Sequence, residues 1–100
     1  MHIISKKRLR EFWSEFPESE LALRAWYRTV KHVHWKKFAD IRNTFNSVDV
    51  YRRFHVFNVS GNRYRIIAAI HFNTQRVFIL HVLTHEEYDT DRWKADCECD

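Results

Sequence analysis

The feature that most constrains this chain is a change of hydrophobic period near Asp49. Upstream of it, apolar residues recur every three or four positions; downstream they recur every second one. Leu9, Phe12, Trp13 and Phe16 share one face of a first helix that Ser5 can cap, and Pro17 ends that helix and suits the first turn of the next. Leu21, Ala22, Ala25, Trp26, Thr29, Val30 and Val33 form the apolar stripe of a second helix, with Arg24, Arg28 and Lys31 along another side. Phe38, Ile41 and Phe45 mark a short third helix, and His2-Ile3-Ile4 reads as a short leading strand. Beyond Asp49, alternation covers Arg53–Val59, Arg63–Phe72 and Val77–Val82, with turns at Ser60-Gly61-Asn62, around the only glycine, and at Asn73-Thr74-Gln75. Helices followed by three hairpin-linked strands predict an α+β fold. The expectation is one domain over residues 1–100, its N-terminal strand and helices packed on one face of an antiparallel sheet.

Alternation also sorts the strands by face. Tyr64, Ile66, Ala68 and Ile70, with Phe78, Leu80 and Val82, are expected against the helices; Arg53, His55, Arg63, Arg65, His71 and His81 are expected on an open basic floor. Charge supports that reading. Residues 1–81 carry fifteen Lys or Arg against six Asp or Glu, a net of +9, whereas residues 82–100 carry two against seven, a net of −5. A small, strongly basic body attracts polyanions. The opening MHIISKKRLREFW is charged by its sixth residue, unlike a secretory leader, and the longest apolar run, Ile66–Ile70, is far too short to span a bilayer. The expectation is a soluble cytoplasmic protein with no membrane partner. Cys97 and Cys99 are too few for a structural zinc or a disulfide framework. They are expected in a frayed acidic tail from about residue 94.

The segment Thr84-His85-Glu86-Glu87-Tyr88-Asp89 closes the last strand. It begins like the zinc motif H-E-x-x-H, but the second histidine is missing, because position 89 is Asp. No metal is expected. As local structure, Thr84 and Glu87 have capping-box spacing and an acidic first turn suits the helix dipole. A plain helix start accounts for Thr84 and Glu87. It leaves a His and a Tyr beside the arginine floor unexplained.

These residues resemble a known family. Asn58, Gly61, Asn62 and Arg65 meet a pattern N-x-x-G-N-x-x-R, and Thr84, His85, Glu87, Tyr88 and Asp89 meet T-H-x-E-Y-D. Both are similar to the HigB toxins of bacterial type II toxin–antitoxin modules, a branch of the RelE-like mRNA interferases. HWKKFADIR resembles the family's lysine-bearing segment, with Lys36 and Lys37 in matching places. The resemblance implies a RelE/ParE-like domain that cleaves translated mRNA on the ribosome, restrained by a cognate antitoxin protein with a helix-turn-helix DNA-binding character. It implies general acid–base chemistry without a metal or cofactor. Arg65, His85 and Tyr88 are then the catalytic candidates, and Lys36, Lys37, Arg63 and Arg76 the RNA-binding ones. Two other readings fit the same elements: a ParE-like gyrase poison, and a non-catalytic nucleic-acid-binding module. Only the nuclease needs His85 and Tyr88.

Overall fold

The chain runs β1 (His2–Ile4), α1 (Lys6–Glu15), a 3₁₀ turn (Pro17–Ser19), α2 (Glu20–His32), α3 (Phe38–Thr44), β2 (Asp49–Tyr51), β3 (Phe54–Val59), β4 (Tyr64–His71), β5 (Arg76–Thr84), α4 (His85–Asp89) and a 3₁₀ helix (Arg92–Cys97). This is a computed structural model; it describes residues 1–97, and side chains as far as residue 95. The tail thiols of Cys97 and Cys99 therefore lie outside the described residues and side chains. The sheet has the order β1-β5-β4-β3-β2, antiparallel from β2 to β5, with β1 parallel to β5 at the opposite edge. The fold is α+β.

Four antiparallel strands stand where three were expected. The extra one, β2, turns back into β3 at Arg52, whose φ of 55° is left-handed. Turns of that kind are usually signalled by Gly or Asn, and here an arginine occupies the place. Ser5 has a φ of 76° and makes no side-chain cap, so it turns β1 into α1 instead of capping the helix as expected. In α2 the buried line is Leu23, Trp26 and Val30, while Leu21 is 85% exposed. Leu21 lies two residues, roughly 200°, around the helix from Leu23 and so faces away from the sheet.

On the helix-covered face, Phe57 is fully buried among Trp26, Trp35 and Phe45, with ring centroids 5.3, 6.2 and 5.4 Å away. Each aromatic contact contributes about 0.5–1.5 kcal/mol beyond its buried area, and Phe57→Ala would cost about 3–5 kcal/mol. Tyr64, Ile66 and Ala68 join this core as expected. His55 does too, contrary to expectation: it pairs with Ala68, and its ring lies 5.9 Å from Phe38 and 6.5 Å from Phe72. In β5 the inward residues are Val77 and Ile79, while Leu80 turns to the second face with Phe78, which pairs with Ala69. A register shift between Ile67 and Ala68 then returns Val82 to the helix side. An unbroken run such as Val77-Phe78-Ile79-Leu80 has no polar residue to fix which set points inward.

The second face is not the open basic floor expected. Phe54, Val56, Ile67 and Trp93 form a smaller core there, joined by Tyr51, Leu80, Leu83 and Tyr88. The chain after β5 folds back and covers it. Arg65 and Lys94 are cations held against this face, over Tyr88 and over Tyr51 and Trp93, while Arg53 and Arg63 occupy exposed turns at the strand ends.

Candidate active site

The site grows from the junction of β5 and α4. Glu87 N–H donates to Thr84 Oγ1 at 3.2 Å, and Thr84 N–H donates back to a Glu87 carboxylate oxygen at 3.1 Å. This reciprocal cap fixes where the helix begins. The backbone N–H of His85 donates to the Arg63 carbonyl at 2.9 Å, which fastens α4 to the start of β4. Thr84 and Glu87 are thus spent on structure. His85, Tyr88 and Asp89 project from a helix of five residues whose start is fixed at two points.

His85 Nε2 lies 3.1 Å from Asp89 Oδ2, with the two side chains 53% and 59% exposed. Their spacing of four residues puts both on one face of the helix. A neutral imidazole that donates from Nε2 to the carboxylate keeps its lone pair on Nδ1, free to accept a proton. Tyr88 is held differently. Its ring stacks on Trp93 at 5.3 Å and 12°, the Trp93 indole N–H donates to the Tyr88 carbonyl at 3.1 Å, and the Arg65 guanidinium lies 4.9 Å from its centroid. Trp93 is itself buried and meets Tyr51 edge-on at 5.3 Å.

Arg65 is 7% exposed, and its one hydrogen bond among the described residues runs from Nη1 to the Tyr64 carbonyl at 3.4 Å. No carboxylate pairs with it there. A cation taken out of water without an anion retains much of its desolvation penalty; the cation–π contact offsets about 0.5–2 kcal/mol of it. An incoming phosphate oxygen would offset more.

Between α4 and the turn after α1 lies an open cleft of about 510 Å³, lined in part by Glu18, Arg63, Tyr64, His85 and Glu86. Burial, and then the neighbouring Glu18 carboxylate, push the Tyr64 phenol above its ordinary value, so it stays protonated near neutrality. Arg63 lies 5.6 Å over the same ring. Sequence reasoning passed over Trp93, Asp89, Tyr64 and Glu18. Asp89 had a visible signal in its four-residue spacing from His85; Trp93 had none, because it stands alone between Arg92 and Lys94, beyond the motif and outside any apolar period.

The other RNA-binding candidates are elsewhere. Lys36 and Lys37 are exposed in the loop before α3, and Arg76 is exposed at the start of β5 beside His71. Gln75 Nε2 donates to the Trp35 carbonyl at 2.6 Å, holding that loop at the same end of the sheet. Strand β4 has eight residues between the two ends, a separation of roughly 23 Å at about 3.3 Å per residue. Arg63 and His85 line the cleft, and Arg65 and Tyr88 meet each other at the same end of the sheet; Lys36, Lys37 and Arg76 form a second group at the other end. Among the described residues, no three His, Cys, Asp or Glu side chains gather as a metal site.

Comparison with known proteins shows the family. Residues 19–91 match the HigB toxin family, described as the RelE-like toxic component of a toxin–antitoxin system. The chain is 36% identical over 92 residues to an mRNA interferase HigB of Escherichia coli O6:H1 (strain CFT073), covering 89% of each protein. It is 34% identical over 92 residues to the mRNA interferase toxin HigB of Escherichia coli K12 and to the mRNA interferase HigB of Shigella flexneri, covering 89% of this chain and 88% of each relative. A chain with this α+β fold, a capped five-residue helix and a buried arginine beside it is of the RelE-like toxin class. More narrowly, it belongs to the HigB toxin family. Membership implies an antitoxin as partner and does not favour the gyrase-poison or binding-module readings.

Proposed function

We propose that this chain is an mRNA interferase: an endoribonuclease that cuts message on the translating ribosome and so inhibits translation and growth. The observation that carries the reading is Arg65, buried with no acidic partner among the described residues and lying over Tyr88, whose helix also carries His85. The relatives' names as mRNA interferases support it.

The chemistry needs two proton movements and one charge. The ribose 2′-OH loses its proton and its oxygen attacks the adjacent phosphorus. The bond to the 5′-oxygen breaks, and that oxygen leaves with a proton, giving a 2′,3′-cyclic phosphate and a 5′-hydroxyl. His85, steered by Asp89, exchanges one proton, and the Tyr88 hydroxyl is the second carrier. Arg65 stabilises the charge gathering on the phosphate oxygens, already aimed and already desolvated. Arg63 holds the neighbouring phosphate, while Glu18, on the wall opposite α4, repels the backbone from that side of the cleft. No metal is needed for these steps. The antitoxin is a helix-turn-helix DNA-binding protein, and the work is done in the cytoplasm. Within the described residues, no helix is long and apolar enough to cross a membrane.

The test is to induce the chain in a bacterium and map RNA 5′ ends on translated messages, then repeat with purified protein. Cuts within translated reading frames, poor cleavage of naked RNA and indifference to EDTA are expected. Equal cleavage of naked RNA, or loss of activity with the chelator, overturns the reading.

A further inference from the structure

A second basic site lies away from α4, in the groove between α1 and α2. The groove measures about 250 Å³. Five basic side chains line it: Lys6, Arg24, Arg28, Lys31 and His32. Its walls are Trp13 and Tyr27, and it shares no residue with the α4 cleft. Among the described residues no carboxylate lines it; Glu20 reaches Arg24, at 2.7 Å.

The rings of the groove are already occupied. Lys6 Nζ sits 4.4 Å from the Tyr27 centroid, and Arg24 Cζ 4.5 Å from that of Trp13. Bases therefore have no open ring to stack on. The rings instead hold two cations in place, which lowers the side-chain entropy lost when an anion binds. Arg24, Arg28 and Lys31 follow one another at four and three residues along α2, a row with steps of about 5–6 Å. Such a row suits a chain of phosphates.

The groove leads toward the distant cation group. The Met1 ammonium donates to the Val33 carbonyl at 2.6 Å, just past the end of α2, and His2 pairs with Arg76 across β1 and β5. Lys36 and Lys37 follow on the same stretch of chain. One basic flank thus runs from Arg24 to Arg76. A protein partner would call for an apolar interface core, whereas nucleic-acid interfaces are polar and strongly positive; this flank has the second character.

We infer that the α1–α2 groove anchors the sugar–phosphate backbone of folded RNA, the ribosome's own, apart from the message handled at α4. The inference rests on the reading of the chain as a ribosome-acting nuclease.

The full chain, labelled, is titrated against ribosomes without message over a range of salt concentrations, with polyglutamate as an alternative ligand. The triple variant Lys6→Gln, Arg28→Gln, Lys31→Gln is compared with Lys6→Arg, Arg28→Lys, Lys31→Arg, both matched to the parent in thermal unfolding. The neutral triple is expected to bind ribosomes on the order of tenfold more weakly and to lower the slope of log affinity against log salt by about two units. The charge-keeping triple should match the parent. Parental affinity and slope in the neutral triple overturn the inference. So does a neutral triple that loses polyglutamate binding alone, which would make the groove a dock for an acidic polypeptide. If the parent binds ribosomes through the groove yet cuts no message, the anchor stands and the nuclease reading falls. If the parent cuts and the neutral triple binds as the parent does, the anchor alone falls.

Discussion

The two ends of the sheet carry their cations in opposite ways. At the α4 end, Arg65 is buried, Tyr88 is stacked on Trp93, and His85 faces Asp89 at 3.1 Å. At the other end, Lys36, Lys37 and Arg76 stand exposed, and Arg28 and Lys31 continue the same pattern along α2. Reaction geometry needs groups already aimed where charge will develop, because reorienting them in the transition state raises the barrier. Holding a polyanion needs only positive potential, and exposed, loosely placed side chains supply it. The difference implies that changes at the first end should lower rate and changes at the second should lower affinity.

The sharpest way to break that division is at Arg65. Arg65→Ala should slow single-turnover cleavage by about 10²–10³-fold, the usual loss on removing one preorganised charge donor. Arg65→Lys should recover only part of the rate, since an ammonium cannot make the forked contact. Full activity in the lysine variant would mean that Arg65 supplies charge without geometry.

A smaller loss is expected at Trp93, which stacks on Tyr88 and donates to its carbonyl. Trp93→Phe keeps a ring against Tyr88 but removes the N–H that reaches its carbonyl, a change of about 1 kcal/mol. It should lower kcat several-fold with the KM for ribosomes unchanged, while Trp93→Ala should also destabilise the fold by about 3–5 kcal/mol. A parental kcat in a folded Trp93→Phe would remove Trp93 from the site.

Milder still is His55, beneath α3 on the flank side. Burial lowers its pKa below the ordinary 6.5, and its Nδ1 has no hydrogen-bond partner among the described residues. Below about pH 6.5 the unfolded chain takes up a proton that the folded chain resists. Stability is therefore complete above that pH and falls as the pH drops toward the folded pKa. Thermal unfolding from pH 7.5 to 5 should show this decline, and His55→Phe should flatten it. An equal decline in the variant would assign the effect to other groups.

Much of this was legible in the sequence, and the failures have physical causes. Leu9, Phe12 and Trp13 face inward as their spacing predicts, and β3, β4 and β5 lie where the alternation places them. Gly61, with φ at 65°, turns β3 into β4 as expected. Strand β2 was missed because Arg52 holds a left-handed turn that no residue type announced. The faces of β5 were misassigned because its apolar run lacks alternation and the register shifts midway. Of the two readings of Thr84–Asp89, the plain helix start is seen directly: Thr84 and Glu87 form the cap, which sets the places of His85 and Tyr88. The burial of Arg65 was not legible at all, since Tyr88 lies over it and is itself held by Trp93 from beyond the motif.

The division between rate and affinity is tested most directly by one comparison of programmed ribosomes at saturating concentration. Single-turnover cleavage is measured for His85→Ala, and for the triple variant Lys36→Gln, Lys37→Gln, Arg76→Gln, each matched to the parent in thermal unfolding. His85→Ala should cleave about 10²–10⁴-fold more slowly while binding ribosomes as the parent does. The triple variant should cleave at the parental rate once saturated, yet bind more weakly with a flatter salt dependence. A near-parental rate for His85→Ala, or a triple variant that stays slow at saturation, would contradict the account.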